Sequence, residues 1–276
     1  MNEGTVFATF VVVFREALEA GLIIGIILTV LARLKAHHYF SGVALSSLTA
    51  LFLSFFIGGW LSSMADNAQD RAKEIIEGVI SLAAAGVLTY MFFWMEAQAR
   101  RIRPEIESKI ETALSQKDYF AMVSLPFFAV FREGAETVLF LKAVAIQSGG
   151  AVSWIGGVTG LLAATVITGF IFFGGRRVPL KPLFRWTGFF ILIIAAGLLA
   201  YGIHELEEAK WVPQFIYPLY NINHILNEKE GVGSFLKALF GYNANPSLTE
   251  VIVYWSYLIV TYVLVIQQER QAFKKG

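Results

Sequence analysis

Two copies of one charged motif stand out in the chain, each within a long apolar run. The first copy is Phe14-Arg15-Glu16-Ala17-Leu18-Glu19, and the second is Phe131-Arg132-Glu133-Gly134-Ala135-Glu136. The segments 13–19 and 130–136 are identical at five of seven positions. In a helix the arginine and both glutamates of each copy share one face, because residues three and four apart are neighbours. The chain thus carries two helical faces, each with one guanidinium and two carboxylates.

Both motifs fall near the centre of segments apolar enough to cross a membrane, where charges need partners. Each charge would cost about 2.5–3.5 kcal/mol at the centre of a membrane helix. If the two faces meet, four carboxylates and two guanidiniums carry a net charge of −2. One divalent cation would neutralise this cluster, and a trivalent cation would leave a charge that an added hydroxide offsets. The charged groups must therefore pair, face water or hold an ion.

A simpler interpretation is a buried salt-bridge clamp that holds the two helices together. It explains one carboxylate for each arginine and leaves two carboxylates unexplained. Because the chain has no cysteine, a metal bound here would have oxygen ligands without thiolate. Such ligands favour hard or borderline cations, so iron, manganese, magnesium or calcium is preferred over copper(I).

The composition places these motifs in a membrane protein. Of the 276 residues, 56% are hydrophobic and only 16% are charged, and the formal net charge is +1. Soluble domains are about 45–50% apolar and about 25% charged. The absence of cysteine excludes disulfides, iron–sulfur clusters and cysteine catalysis. No phosphate-binding loop, nucleotide fingerprint or nucleic-acid-binding surface is recognisable.

Seven segments are long and apolar enough to cross a bilayer, which takes about 20 residues. We therefore predict an all-α integral membrane protein that forms a single membrane domain over 1–276. The segment 208–248 is the only long loop between spans, and it has room for short interfacial helices. The predicted spans are 5–32, 42–65, 75–98, 120–143, 151–174, 186–207 and 249–267.

The doubled motif divides the chain into two repeats. Repeat one covers about 5–98 and repeat two about 120–207, followed by the extracytoplasmic loop 208–248 and an extra span at 249–267. A weaker similarity relates the third and sixth spans, where Glu77-Gly78 aligns with Thr187-Gly188. A repeat of three spans must insert in opposite directions in its two copies. This predicts a 3+3 inverted repeat, a plan in which transporters bind substrate near the membrane midplane.

The loops predict the orientation. Fourteen Lys and Arg residues lie in loops 1, 3 and 5 and in the C-terminal tail, against five on the other side. By the positive-inside rule the N-terminus is outside and the C-terminus is cytoplasmic. Acidic residues show the opposite distribution, so the outer face is negative. Two interpretations remain open. The positive-inside rule alone accounts for this distribution of charge, or the negative outer face forms a vestibule that concentrates cations.

The doubled Arg-Glu-x-x-Glu motif resembles that of the oxidase-dependent iron transporters, which are the fungal high-affinity iron permeases and the bacterial EfeU-type iron permeases. The resemblance extends over nearly the whole chain, and only Ala17 and Ala135 depart from the usual Arg-Glu-Gly-Leu-Glu pattern. It also rests on Glu77-Gly78, on Leu88-Thr-Tyr-Met-Phe-Phe-Trp-Met95, on Ala195-Ala-Gly-Leu-Leu-Ala200, on Phe240-Gly-Tyr-Asn243 and on Pro246-Ser247.

The resemblance implies a transporter, not an enzyme, that takes up Fe²⁺ or Fe³⁺ across the plasma membrane, here the bacterial inner membrane. Iron is then the cargo, and no permanently bound cofactor is expected. Its partners would be membrane lipid, an extracytoplasmic iron-binding protein, and a haem peroxidase or multicopper oxidase. The implied metal ligands are Glu16, Glu19, Glu133 and Glu136, with Arg15 and Arg132 limiting the repulsion between them.

Further acidic residues are expected around the outer mouth. His204, Glu205 and Glu208 end the sixth span, and Glu74 and Glu77 open the third. If the repeats are symmetric, these ends lie near each other and can form a loading site for the cation. The alternative is ordinary capping, since carboxylates at a helix N-terminus oppose the helix dipole.

Other functions fit the sequence less well. A permease for lead or manganese would use the same carboxylates. An intramembrane ferroxidase of the di-iron type would normally carry Glu-x-x-His motifs, and the sequence has none. A membrane metalloprotease would need clustered histidines, and only His204 lies near a span. No ATP-binding segment is present, so the driving force would be the membrane potential, a proton gradient or a redox step.

Overall fold

The computed structural model describes residues 3–66, 70–98, 102–149, 152–173, 180–228 and 230–275. Within these ranges every regular element is helical, as expected from the composition. Five of the basic residues that predict the orientation lie outside them: Arg100, Arg101, Arg176, Arg177 and Lys229. The helices are α1 (Glu3–Arg33), α2 (Phe40–Asp66), α3 (Asp70–Gln98), α4 (Ile102–Ser115), α5 (Tyr119–Gln147), α6 (Trp154–Phe173), α7 (Leu180–Glu208), α8 (Gly231–Phe240) and α9 (Leu248–Lys275).

Five helices of the described chain, α2, α3, α6, α7 and α9, are long and apolar enough to cross a membrane. The chain is therefore a multi-pass membrane protein. The two other long helices, α1 and α5, have 31 and 29 residues and carry the charged motifs. α1 and α5 are long enough to cross a membrane, but their charged residues distinguish them from the five apolar helices. All seven predicted spans fall on long helices, including 151–174, whose ends lie outside the described residues.

The long helices pack in pairs whose relative directions can be read from close contacts. Val6 faces Gly156 near the N-terminal ends of α1 and α6, and Gly25 faces the Phe172 ring near their C-terminal ends. α1 and α6 therefore run parallel. A Cβ atom at Gly156 would overlap the carbonyl oxygen of Val6, so the absence of a side chain lets the two backbones approach closely, as is typical of membrane helices.

The same reasoning gives the directions of two further pairs. α2 and α5 run parallel, because Gly42 faces Tyr119 near their N-terminal ends while the end of α2 reaches the second half of α5. α3 and α7 are antiparallel, with Gly78 against Leu206 and Gly188 against the Phe92 ring. α1 also contacts α5, and α9 packs on α7.

Two shorter helices lie between the long ones. α4 occupies a stretch that the sequence pattern predicts only as loop 3. Its residues Ile106, Ile110 and Ala113 are buried against the end of α1. An ion pair between Arg33 and Glu111, 2.9 Å apart, crosses the same interface. α8 confirms a short helix within 208–248, and it ends at Gly241 in a left-handed conformation.

Candidate metal centre between α1 and α5

The two motifs sit in the middle of helices that are fixed by their neighbours. A Cβ atom at Gly134 would lie 2.5 Å from the Ser54 hydroxyl of α2, so α5 approaches α2 through a position without a side chain. The same hydroxyl lies 3.2 Å from the carbonyl oxygen of Phe131. In α1 the corresponding Ala17 packs with Ala164 of α6. Each motif is therefore backed by one helix on the side away from its charges.

Three of the four predicted carboxylates come together where α1 meets α5. One oxygen from each of Glu16, Glu19 and Glu133 lies within 4.8 Å of the others. These residues are only 1%, 6% and 2% exposed, respectively. Three carboxylates so close and so deeply buried repel one another strongly unless a cation or protons lie between them.

Arg15 is the buried counter-charge of this group. Its Nε lies 3.0 Å from Oε1 of Glu19, an ion pair without hydrogen-bond geometry, and its Nη1 donates to Oε1 of Glu16 at 3.4 Å. Nη2 lies 3.6 Å from the sulfur of Met95 in α3. Arg15 thus places one guanidinium between both glutamates of its own motif.

Arg132 is placed differently, although its motif is nearly the same. Its Nε donates to Oε1 of Glu133 at 2.9 Å, and its guanidinium lies over the Trp94 ring, 5.2 Å from the ring centroid. Its side chain is 44% exposed, against 3% for Arg15. The two arginines are therefore not equivalent: one is enclosed with the carboxylates, and the other reaches out along α3.

Glu136 is the predicted ligand that the structure places apart from the other three. Its Oε1 lies 3.8 Å from Nε of Arg132, and its side chain is 16% exposed. It is not part of the three-carboxylate group found among the described residues. Glu136 is thus at the margin of the centre, where it can join the group only if its side chain moves.

The ion pairs do not use all the oxygen atoms of the centre. Oε2 of Glu16, Glu133 and Glu136 have no hydrogen-bond partner among the described residues. Buried polar atoms are normally hydrogen-bonded, so each exception needs an explanation. A salt-bridge clamp explains the oxygens that face the arginines but not these. Converging free carboxylate oxygens are the donor set of a hard or borderline cation.

The residues predicted around the outer mouth do gather at one end of the bundle. His204 and Glu208 are in contact, with Nε2 and Oε1 3.3 Å apart. Glu205 is buried and interacts with Tyr201. Glu77 of α3 lies 3.9 Å from Lys73, and Glu74 is one turn away from it. Their gathering follows from the antiparallel packing of α3 on α7.

Two residues at this end, Glu207 and Glu250, are not among those predicted from the sequence. Nδ1 of His204 lies 3.0 Å from Oε1 of Glu250, which opens α9. Ser247 and Glu250 hydrogen-bond each other's backbone N–H groups at 3.1 and 2.9 Å, which is a capping box. The Ser-x-x-Glu spacing could have located the start of α9. The contact with His204 could not be found, because it depends on how α9 packs on α7.

Comparison with known proteins relates the chain to one family along nearly its whole length. The profile of the Iron permease FTR1 family matches residues 6–274. The chain is 35% identical over 260 residues to a protein of Yersinia pestis called Ferrous iron permease EfeU, covering 94% of this chain and 92% of the relative. It is 32% identical over 255 residues to a protein of the same name from Escherichia coli O6:H1 (strain CFT073), covering 92% of each.

No solved structure matches the chain. The family assignment therefore rests on sequence, and the match takes in both motif helices, the acidic residues at the end of α7 and nearly all of α9. With a profile match over almost the full length and relatives above 30% identity, this chain belongs to the Iron permease FTR1 family.

Proposed function

We propose that the chain is an iron permease of the bacterial plasma membrane that moves iron inward through the carboxylate centre between α1 and α5. The observation that carries this proposal is the convergence of Glu16, Glu19 and Glu133, buried together with oxygens that lack protein partners. The names of the bacterial relatives agree with iron as the cargo. Arg15 and Arg132 hold the carboxylates in place and reduce their mutual repulsion while no cation is bound.

The predicted inverted repeat is supported by the pairing of the helices. In an inverted repeat α1 corresponds to α5, α2 to α6 and α3 to α7. The two-fold axis that relates the repeats must therefore superimpose the pair α1–α6 on the pair α5–α2. Both of these pairs are present, and both are parallel. The same axis must bring α1 against α5 and α3 antiparallel to α7, as is also found.

Individual contacts between α3 and α7 follow the same relation. Equivalent positions of α3 and α7 differ by 110 in residue number, so Gly78 corresponds to Gly188 and Gly202 to Phe92. The contact of Gly78 with Gly202 and the equivalent contact of Gly188 with Phe92 are both present. The carboxylate centre then lies at the interface of the two repeats, where transporters of this plan bind their substrates. We therefore propose that α1 and α5 also cross the membrane, which gives seven spans with the N-terminus outside and the C-terminus in the cytoplasm.

The charges favour a divalent cargo. The two motifs together carry −2 when all groups are ionised, so Fe²⁺ leaves the centre neutral in a region where net charge is costly. The relatives named ferrous iron permeases point the same way. Fe³⁺ would need one more negative ligand, and hydroxide is the simplest candidate. Glu136 would join the other carboxylates as the cation enters, and release would follow when α1 and α5 rearrange.

Energy and delivery complete the proposal. A cation entering buried carboxylates can displace protons, so inward iron movement can be coupled to proton antiport. Uptake that responds to neither an uncoupler nor external pH would rule out this coupling. Iron would reach the outer mouth from an extracytoplasmic iron-binding protein. A haem peroxidase or multicopper oxidase would set its oxidation state. The acidic residues Glu74, Glu77, Glu205 and Glu208, together with His204, would receive it there.

The test is uptake of radioactive iron by proteoliposomes that contain only the purified protein. Fe²⁺ is supplied with a reductant in one series and Fe³⁺ with a weak chelator in another, with manganese and lead in parallel. Uptake of either iron species that is lost in Glu133→Gln supports the proposal and identifies the cargo. Uptake of lead or manganese but not iron would show a permease for another cation, and oxidation of Fe²⁺ without uptake would show a ferroxidase.

A further inference from the structure

A second cluster of metal-binding groups lies at the end of the bundle where α3 and α9 begin and α7 ends. A ring nitrogen of His204 and carboxylate oxygens of Glu207 and Glu250 lie within 4.8 Å of one another. The first two residues share the last turn of α7, and the third is held at the start of α9. The cluster therefore joins two helices that are about 40 residues apart in the sequence.

Both carboxylate oxygens of Glu250 have partners within the protein. Its Oε1 accepts from the Ser247 backbone at 2.9 Å and lies 3.0 Å from His204, and its Oε2 accepts from Asn243 at 2.9 Å. These contacts hold its carboxylate in one orientation. An ion pair that ties α7 to α9 would explain His204 and Glu250 completely.

Glu207 is not explained in this way. Its side chain is only 3% exposed, and neither carboxylate oxygen has a hydrogen-bond partner among the described residues. A buried carboxylate with both oxygens unpaired is costly, and here it is directed at another carboxylate and an imidazole. A cation between Glu207 and Glu250 would give the Glu207 oxygens a partner, whereas an ion pair between α7 and α9 does not require Glu207 at all.

The donor set indicates the kind of cation. One imidazole and two carboxylates combine a borderline nitrogen ligand with hard oxygen ligands, which suits divalent first-row metals such as Fe²⁺ and Mn²⁺. The central carboxylate centre differs because it contains no histidine. A bound metal at this end would therefore have a spectroscopic signature that the central site cannot give.

The two clusters are well separated. Glu77 of α3 lies at the level of the last turns of α7, since Gly78 contacts Leu206. Met95 of α3 contacts Arg15 of the central centre. The rise from residue 77 to residue 95 of a helix is about 27 Å. One cation cannot be shared across that distance, so the clusters are two separate sites.

We propose that His204, Glu207 and Glu250 form a second divalent metal site at this end of the bundle, distinct from the carboxylate centre between α1 and α5. Glu207 supplies a free carboxylate, Glu250 is a ligand already oriented by Ser247 and Asn243, and His204 supplies a nitrogen. Binding at this site does not depend on transport, so the site can be tested even if the proposed function is wrong.

The experiment uses the purified full-length chain in detergent, loaded with Mn²⁺ and then desalted. Pulsed electron paramagnetic resonance detects a nitrogen nucleus bound to Mn²⁺. Wild-type protein should show this coupling, and His204→Asn should abolish it. Glu207→Gln should lower Mn²⁺ affinity about tenfold or more, in line with loss of one charged ligand, and should therefore reduce the amplitude of the nitrogen signal at the same Mn²⁺ concentration.

Three variants serve as controls. His224→Asn and Glu230→Gln change exposed residues of the loop on the same side, and both should keep the coupling. Glu133→Gln alters the central centre and should also keep it, which separates this site from the first. Wild-type protein without nitrogen coupling would overturn the proposal. So would coupling and affinity that survive Glu207→Gln, a substitution that preserves side-chain size and removes an unpaired buried charge.

Discussion

At the scale of single residues, the proposed metal centre depends on carboxylates whose oxygens lack protein partners. Glu133 is buried beside Glu16 and Glu19 with its Oε2 free among the described residues. Replacing Glu133 by Gln should reduce iron uptake about tenfold or more, because a hydrogen bond or ligand bond to a charged group is worth about 1.5–3 kcal/mol. Initial uptake rates in proteoliposomes measure this effect.

The matched control for that substitution is Glu111→Gln. Glu111 is an exposed glutamate whose visible partner is Arg33, and surface ion pairs contribute little to stability. This variant should transport iron at the wild-type rate. Equal loss of uptake in both variants would mean that the substitutions impair folding or reconstitution of the protein and do not act through the carboxylate centre.

Arg15 makes a second prediction at this scale. It is 3% exposed and interacts with both Glu16 and Glu19, so its removal leaves two buried carboxylates without their counter-charge. Arg15→Leu should destabilise the fold by about 3–5 kcal/mol, the usual effect of breaking a buried pair from one side. Thermal unfolding in detergent measures the loss.

Neutralising a partner should restore part of that stability. The double variant Arg15→Leu with Glu19→Gln should unfold at a higher temperature than Arg15→Leu alone, because one uncompensated charge is removed. Arg132→Leu should have a smaller effect, since that side chain is 44% exposed. If the double variant is no more stable than the single one, Arg15 does not act as a counter-charge.

At the scale of helices, close packing of α1 on α6 fixes the first motif. A Cβ atom at Gly156 would overlap the backbone of Val6, whereas one at the adjacent Gly157 would meet only a methyl group of Thr9 at 4.0 Å. Gly156→Ala should therefore lower stability by about 1–3 kcal/mol, as overpacking does, and should slow uptake by displacing α1. Thermal unfolding and uptake report the two effects.

Gly157→Ala is the control for this substitution, one residue along the same helix. It adds the same methyl group where there is room, and it should leave uptake unchanged while stabilising the helix slightly. A similar loss in both variants would show that α6 is sensitive to helix propensity or lipid contact. The packing of α1 on α6 would then not be what places the motif.

The helices also show what the sequence could and could not predict. Apolar length was sufficient to locate α2, α3, α6, α7 and α9, because each is a long run with few charges. The doubled motif correctly indicated that residues of α1 and α5 would meet. The helix α4 was missed because it is short and amphipathic, so it has no long apolar run.

The acidic residues and His204 at the end of α7 show the same limit of sequence-based prediction. Residues close together in one helix, such as His204 and Glu208, could be grouped from their spacing. Glu250 could not be added to them, because its place depends on the packing of α9 on α7. Glu136 could not be separated from the other motif glutamates, because the two copies of the motif have the same spacing and only the structure shows Glu136 outside the three-carboxylate group.

At the scale of the whole molecule, the proposed orientation can be tested with single cysteines, since the chain has none of its own. Ser108 on α4 and Glu230 before α8 are both exposed. In intact spheroplasts a membrane-impermeant maleimide should label Glu230→Cys and leave Ser108→Cys unmodified. The outer loop is predicted to face the reagent, and α4 is predicted to lie in the cytoplasm.

Permeabilised cells supply the control for this experiment, because both cysteines should then react. Labelling of Ser108→Cys but not Glu230→Cys in intact spheroplasts would reverse the orientation. The acidic residues and His204 at the end of α7 would then lie on the cytoplasmic side, and the direction proposed for iron movement would have to be abandoned.

Anomalous X-ray scattering from crystals prepared with Fe²⁺ under a reductant would locate iron in the protein and so test whether the carboxylates between α1 and α5 bind it. We expect an anomalous peak between Glu16, Glu19 and Glu133, with iron–oxygen distances of about 2.0–2.2 Å, the range found for carboxylates on Zn²⁺. The same peak should be absent in Glu133→Gln crystals. Iron found elsewhere in well-ordered crystals, with Arg15 and Arg132 alone facing these carboxylates, would show that the motifs form a salt-bridge clamp and not a metal centre.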